Sequence, residues 1–164
     1  MNVRSEIFVR NLFGFVLMCV AGCSTSSNVQ TQDIANPTLS DLQGEWRMVT
    51  LFGDGEACPP EDLKIASFVL TIGGSRFTIR DGNQKVHSAG DLVIDESTTP
   101  THLDFIDKMA EGKPPNTTMG IIRIRQGRIQ WCYATQGSER PTVFAAPLAP
   151  KGKKAALAEY ERLQ

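Results

Sequence analysis

The feature that most constrains this chain is an alternation of apolar and polar residues. It begins at Asp41 and repeats in short runs almost to the end. A period of two puts every second side chain on one face of an extended strand, so each run can bury one face of a sheet. Trp46, Met48 and Thr50 share a face of the first run, and Phe68, Leu70 and Ile72 share a face of the second. Gly73-Gly74-Ser75 then reads as a tight turn, after which Phe77 and Ile79 alternate with Arg76, Thr78 and Arg80. Asp81-Gly82-Asn83 is the next turn. Val86 to Ile94 forms a longer run with a bend expected at Gly90. Leu103 and Phe105 mark a fifth run, Ile122 and Ile124 a sixth, and Gln126-Gly127 turns into Ile129, Trp131 and Tyr133. A short strand is expected around Val143 and Phe144. No helical runs alternate with these strands, which excludes a parallel α/β fold. The regular spacing of strands and turns predicts a small antiparallel β-barrel of about eight strands.

Three segments read differently. Pro59-Pro60-Glu61-Asp62-Leu63-Lys64 predicts a short helix, with proline and acids at its start. Lys108 to Thr118, with Gly112 and Pro114-Pro115, reads as an exposed loop. Ala155 to Leu163 has helix-forming composition, yet a barrel needs a closing strand there. We favour the strand.

The first residues carry an address. Arg4 and Arg10 precede an apolar stretch from Leu12 to Val20. It is long enough for a signal core and too short to span a bilayer, which takes roughly 20 residues. It ends in Val20-Ala21-Gly22-Cys23, which resembles a bacterial lipobox: small residues before a cysteine whose sulfur accepts a diacylglycerol. Residues 1–22 are therefore expected to be a lipoprotein signal peptide. The implied partner is the lipid bilayer, reached through acylated Cys23. Two or three acyl chains, at about 0.8 kcal/mol per buried methylene, anchor stably. Ser24, where an acidic residue would retain a lipoprotein at the inner membrane of enteric bacteria, favours the outer membrane. Residues 23–40 are polar and without period, and are expected to be a flexible tether ahead of a barrel at 41–164. The tether would lift the barrel up to about 55 Å from its anchor.

A family resemblance is carried by Leu42-Gln43-Gly44-Glu45-Trp46, Glu61-Asp62-Leu63-Lys64, Phe77-Thr78-Ile79, Gly120-Ile121-Ile122, Ile129-Gln130-Trp131-Cys132-Tyr133, and Arg140-Pro141-Thr142 with Phe144. In this order and spacing they resemble a small lipocalin-like domain of unknown function found in many planctomycete proteins. The match spans most of residues 41–146 and continues weakly to Tyr160-Glu161-Arg162. Gly44-x-Trp46 also resembles the signature that opens the first strand of lipocalins. That resemblance implies a barrel-closing tryptophan covered by an arginine from a late strand, for which Arg140 is the candidate.

Titratable and nucleophilic residues are sparse. The 17 basic and 18 acidic residues leave a net charge of −1, which argues against a nucleic-acid partner needing a basic face. Once Cys23 is acylated, Cys58 and Cys132 are the mature chain's other cysteines. In an exported protein an even pair points to a disulfide, with two reduced thiols as the alternative. Closing that loop would contribute on the order of 4 kcal/mol. His87, Asp91, His102 and Asp104 are the groups to inspect for catalysis, although they match no catalytic or metal-ligand motif. Arg76, Arg80, Arg123, Arg125 and Arg128 are read as a solvated face or a basic patch. No cofactor, metal site or enzymatic activity is expected. The sequence therefore predicts a lipid-anchored envelope protein whose barrel binds a small apolar ligand or an envelope partner. The alternative is an interaction domain with a filled barrel.

Overall fold

A computed structural model describes residues 33–53, 56–109, 114–134, 138–144 and 155–164. The expected signal peptide, the expected acylation site Cys23 and the first part of the expected tether lie outside the described residues. The elements are α1 (Leu39–Leu42), β1 (Gly44–Gly53), β2 (Glu56–Ala57), α2 (Pro60–Ala66), β3 (Val69–Gly73), β4 (Arg76–Arg80), β5 (Val86–Asp95), β6 (Thr101–Asp107), β7 (Asn116–Arg125), β8 (Arg128–Ala134) and β9 (Ala155–Arg162). Each strand from β3 to β9 pairs antiparallel with the next, and β1 pairs with both β3 and β9. The result is a closed eight-stranded antiparallel barrel. The short β2 is an additional strand folded back on the end of β1. Closure leaves no open edge on the barrel strands.

The alternation sets the lining. Trp46, Leu70, Ile72, Phe77, Leu92, Leu103, Phe105, Ile122, Ile124, Ile129, Trp131, Ala158 and Tyr160 form one buried cluster inside the barrel. Phe68 is not part of it: it precedes β3 and meets the His87 ring edge-on, with centroids 5.2 Å apart. The first strand also departs from simple alternation. A bulge between Met48 and Thr50 adds a residue, so that Leu51, rather than Thr50, joins Met48 against the core. Gln126 and Gly127 both have positive φ, 52° and 72°. That is the backbone a two-residue hairpin needs to follow strand twist, and it explains the turn between β7 and β8.

Strand was the right reading of the C-terminal segment. As β9, it buries Ala156, Ala158 and Tyr160 while Leu157, Glu159 and Glu161 are only partly buried. Pairing with β1 and β8 overrides the helical propensity of its alanines and glutamates. Helix α2 begins on Pro60 as expected and ends at Ser67, which takes the left-handed conformation with φ 47°.

Three boundaries are corrected. Residues 33–40, expected in the tether, belong to the fold. Ile34 exchanges two 2.8 Å backbone hydrogen bonds with Ile124, Pro37 is fully buried, and the Leu39 N–H donates to Glu96. Asn116-Thr117-Thr118 opens β7 instead of closing a loop, because it pairs with β6 from Asp107 to Phe105. Val143 and Phe144 form no strand. Val143 is exposed, and Phe144 lies under the guanidinium of Arg123 at 4.2 Å.

Candidate functional site

Antiparallel pairing gives the barrel two distinct ends. One holds the start of β1, the β3–β4, β5–β6 and β7–β8 turns, and the end of β9. The other holds the end of β1, β2, α2, the β4–β5 turn and the end of β8.

The first end is closed. Helix α1 crosses it and puts Leu42, which has no exposed surface, into the core. The Trp46 indole N–H donates to the Leu42 carbonyl at 2.8 Å. Gln43 ties α1 to the β3–β4 turn by accepting from the Gly74 N–H at 2.7 Å. The Arg162 guanidinium lies 4.1 Å from the centre of the Trp46 ring and donates to the carbonyls of Gln43 and Asp41. An arginine does cover the tryptophan, but it is Arg162, not Arg140. The reason is register: Arg162 stands directly opposite Trp46 in the β1–β9 pair. Gly44, with φ 113°, sits under the same arginine. A side chain there would be strained and would meet the guanidinium at 3.0 Å.

Arg140 does a different job on the outer wall. Its guanidinium forms a two-pronged pair with Asp104 of β6 and donates to the Gly120 carbonyl at 2.7 Å. The pair is largely shielded and fastens the segment after β8 across the outside of the barrel.

The middle of the barrel is filled by aromatic rings. Phe77 and Phe105 stack at 4.3 Å, Phe105 and Trp131 at 4.1 Å, and Trp131 and Tyr133 at 4.2 Å, with interplanar angles of 24–28°. Gly120 makes the column feasible. A Cβ there would come within 2.3 Å of the Trp131 indole nitrogen, so only glycine lets the indole lie against β7.

The second end retains a cleft of about 460 Å³, lined by Leu51, Gly53, Glu56, Ala57, Cys58, Pro59, Tyr133 and Ala156. Leu51, Gly53, Tyr133 and Ala156 come from the inner faces of β1, β8 and β9. The rest come from β2 and the chain leading into α2, which is held to β1 by the Cys58 N–H donating to the Leu51 carbonyl at 2.8 Å. The volume lies within the range of small-molecule sites. Burial pushes the Tyr133 phenol above its ordinary value, so it is neutral at physiological pH.

Cys58 and Cys132 are not joined by a disulfide. Cys58 lines the cleft, whereas Cys132 alternates with Trp131 and Tyr133 and so faces the outer side of the barrel wall, where it is buried beside Ile121. The barrel wall separates the two.

The inspected polar groups are dispersed. His87 meets Asp81 at 2.9 Å, and this contact holds the Asp81 carboxyl below its ordinary range. Asp91 pairs with Lys108, Asp104 with Arg140, and His102 stands opposite Asp95 across the β5–β6 pair. Among the described residues no three His, Cys, Asp or Glu side chains gather as a metal site. Nor is any described helix long and apolar enough to cross a membrane. The arginines do not form one patch. Arg76 and Arg80 lie on β4, separated by β5 and β6 from Arg123, Arg125 and Arg128 on β7 and β8. Arg162, Gly53 and Tyr133 escaped the sequence reading as site residues. For Arg162 the available signal was its position on a closing strand. No protein-family model, curated protein or solved structure matches the chain.

Proposed function

We propose that the protein is a lipid-anchored bacterial envelope protein whose lipocalin-like barrel binds a small apolar ligand in the cleft at its open end. One observation carries the reading. The closed end is packed shut by α1, Trp46 and Arg162, while the opposite end keeps a ligand-sized, mostly apolar cleft. The anchor rests on the lipobox ending at Cys23 and on the arginine-led apolar stretch before it.

The two parts fit geometrically. Asp33 accepts a hydrogen bond from the Gln126 N–H beside the closed end. The ten residues from Cys23 to Asp33 reach at most about 35 Å, shorter than the full tether first expected. An acylated Cys23 would therefore tether the barrel from its closed-end side, opposite the cleft that takes a diffusing ligand or an envelope partner. A second reading, an interaction domain without ligand, is favoured by the aromatic column, which leaves no deep cup inside the barrel.

Native mass spectrometry of the protein extracted from its own membranes tests both parts. The expected result is a chain beginning at acylated Cys23 with a small molecule that is lost in a Gly53→Phe variant. An unacylated chain would overturn the anchor. An acylated chain that never carries a small molecule would favour the second reading.

A further inference from the structure

If the cleft is the ligand site proposed above, its chemistry is narrower than apolar. Four of the interior's rings, Phe77, Phe105, Trp131 and Tyr133, form a column that crosses from β4 through β6 to β8. On β8, which runs toward the open end, Tyr133 follows Trp131, so it is the ring of the column nearest the mouth, and it lines the cleft. Around it stand residues with little or no side chain: Gly53, Ala57 and Ala156. A bulky wall would bury the phenol face. These residues instead leave room for something flat beside it.

Shape and charge restrict the occupant further. A long acyl chain needs a channel, but Trp131, Phe105 and Phe77 occupy the barrel axis below Tyr133. A compact planar molecule needs only the mouth. Among the described residues Glu56 is the one charged residue lining the cleft, so a neutral or cationic occupant is favoured over an anion. Aromatic faces attract both a second ring and a cation. We propose that the cleft takes a flat aromatic or heteroaromatic ring, neutral or cationic, which stacks on Tyr133 and extends the column by one.

The test is a titration of the full chain at neutral pH, followed by quenching of tryptophan emission. Four probes are compared: acridine (flat, neutral), 9-aminoacridine (flat, cationic), pyrene-1-sulfonate (flat, anionic) and palmitate (an acyl chain). The two acridines are expected to bind more tightly than the sulfonate and palmitate. Gly53→Phe aims a ring at the site from an open attachment point, because a Cβ at Gly53 meets no heavy atom within 4 Å. It is expected to abolish binding while the circular dichroism spectrum is unchanged. Tyr133→Leu keeps the apolar bulk and removes the ring, and is expected to weaken both acridines about threefold to tenfold. Glu56→Gln is expected to remove the advantage of 9-aminoacridine over acridine.

Palmitate binding that Gly53→Phe blocks, with no acridine binding, overturns the ring proposal and leaves the ligand site standing. Acridine binding of equal strength in Tyr133→Leu overturns the stacking. If Tyr133→Leu does not fold, the probe ranking and Gly53→Phe decide. Failure of every probe, or binding indifferent to Gly53→Phe, overturns both the ring and the cleft.

Discussion

The two ends of the barrel are made from the same strands and finished in opposite ways. At the closed end one side chain satisfies several needs. Arg162 covers the Trp46 ring and fills the carbonyls of Gln43 and Asp41, while Trp46 itself donates to Leu42. The large side chains there, Leu42, Trp46 and Tyr160, are fully buried. At the mouth, glycine and alanine stand where large residues would complete the packing, and Tyr133 is only partly covered. One end spends its residues on stability and the other leaves space. A fold stabilised at one end can carry an underpacked site at the other, because global unfolding of a small domain is cooperative while local opening free energies differ across it.

The largest contrast between the ends comes from side-chain removal at one and addition at the other. Trp46→Ala is expected to lower unfolding free energy by about 3–5 kcal/mol, through lost burial and the cavity left behind. Gly53→Phe is expected to change it by no more than about 0.5 kcal/mol. Urea denaturation of both variants measures the difference, and a mouth variant as costly as the closed-end one would break the comparison.

Next in size is the arginine cover. Arg162→Met is expected to lower stability by about 1–2 kcal/mol, by removing the cation–π contact and two hydrogen bonds. It should also shift the emission of Trp46. Arg140→Met loosens the outer segment and should leave that emission unchanged. Fluorescence of the two variants separates the roles, which the Gly44-x-Trp46 signature alone does not.

High pH sharpens the contrast through the two tyrosines. Burial raises both phenols above the ordinary 10.0, Tyr160 more than Tyr133. A raised folded value means that the neutral form is favoured in the fold. That contribution is complete below pH 10 and is lost as pH rises above it. Tyr160→Phe, in the closed half, should therefore delay alkaline unfolding more than Tyr133→Phe at the mouth, as followed by circular dichroism from pH 9 to 12.

The smallest effect belongs to acid. His87 and the backbone N–H groups of Asn83 and Lys85 hold the Asp81 carboxyl below its ordinary 3.8. A lowered folded value gives a contribution present above pH 3.8 and lost as pH falls below it. Asp81 sits in the β4–β5 turn at the mouth. Amide exchange at Asn83 and Lys85 should quicken below that pH before exchange at Trp46 does.

What was legible in the sequence followed from local pattern. Alternation predicted the strands and their inward faces at Leu70, Phe77, Ile122 and Trp131, because a period of two has one physical meaning in a half-buried strand. The bulge after Met48 left no mark, since an inserted residue changes the phase without changing composition. The tether was overdrawn because Ile34 and Pro37 are isolated apolar residues in a polar stretch, and only the barrel surface makes them a docking strip. Arg140 is the candidate the pattern offers and Arg162 is passed over, because the cover of Trp46 depends on which strand closes the barrel, a long-range fact. The cleft was illegible for the same reason: Gly53, Tyr133 and Ala156 are far apart in sequence and meet only through closure.

The chain's two tryptophans place one reporter in each half. The Trp46 indole N–H bonds to Leu42 at the closed end, and the Trp131 indole N–H bonds to Leu103 in the column beside Tyr133. Nuclear magnetic resonance of the full chain carrying ¹⁵N-labelled tryptophan resolves these two signals during titration with 9-aminoacridine. A ring bound in the cleft is expected to move the Trp131 signal and leave the Trp46 signal in place. Movement of Trp46 with Trp131 unchanged would contradict it.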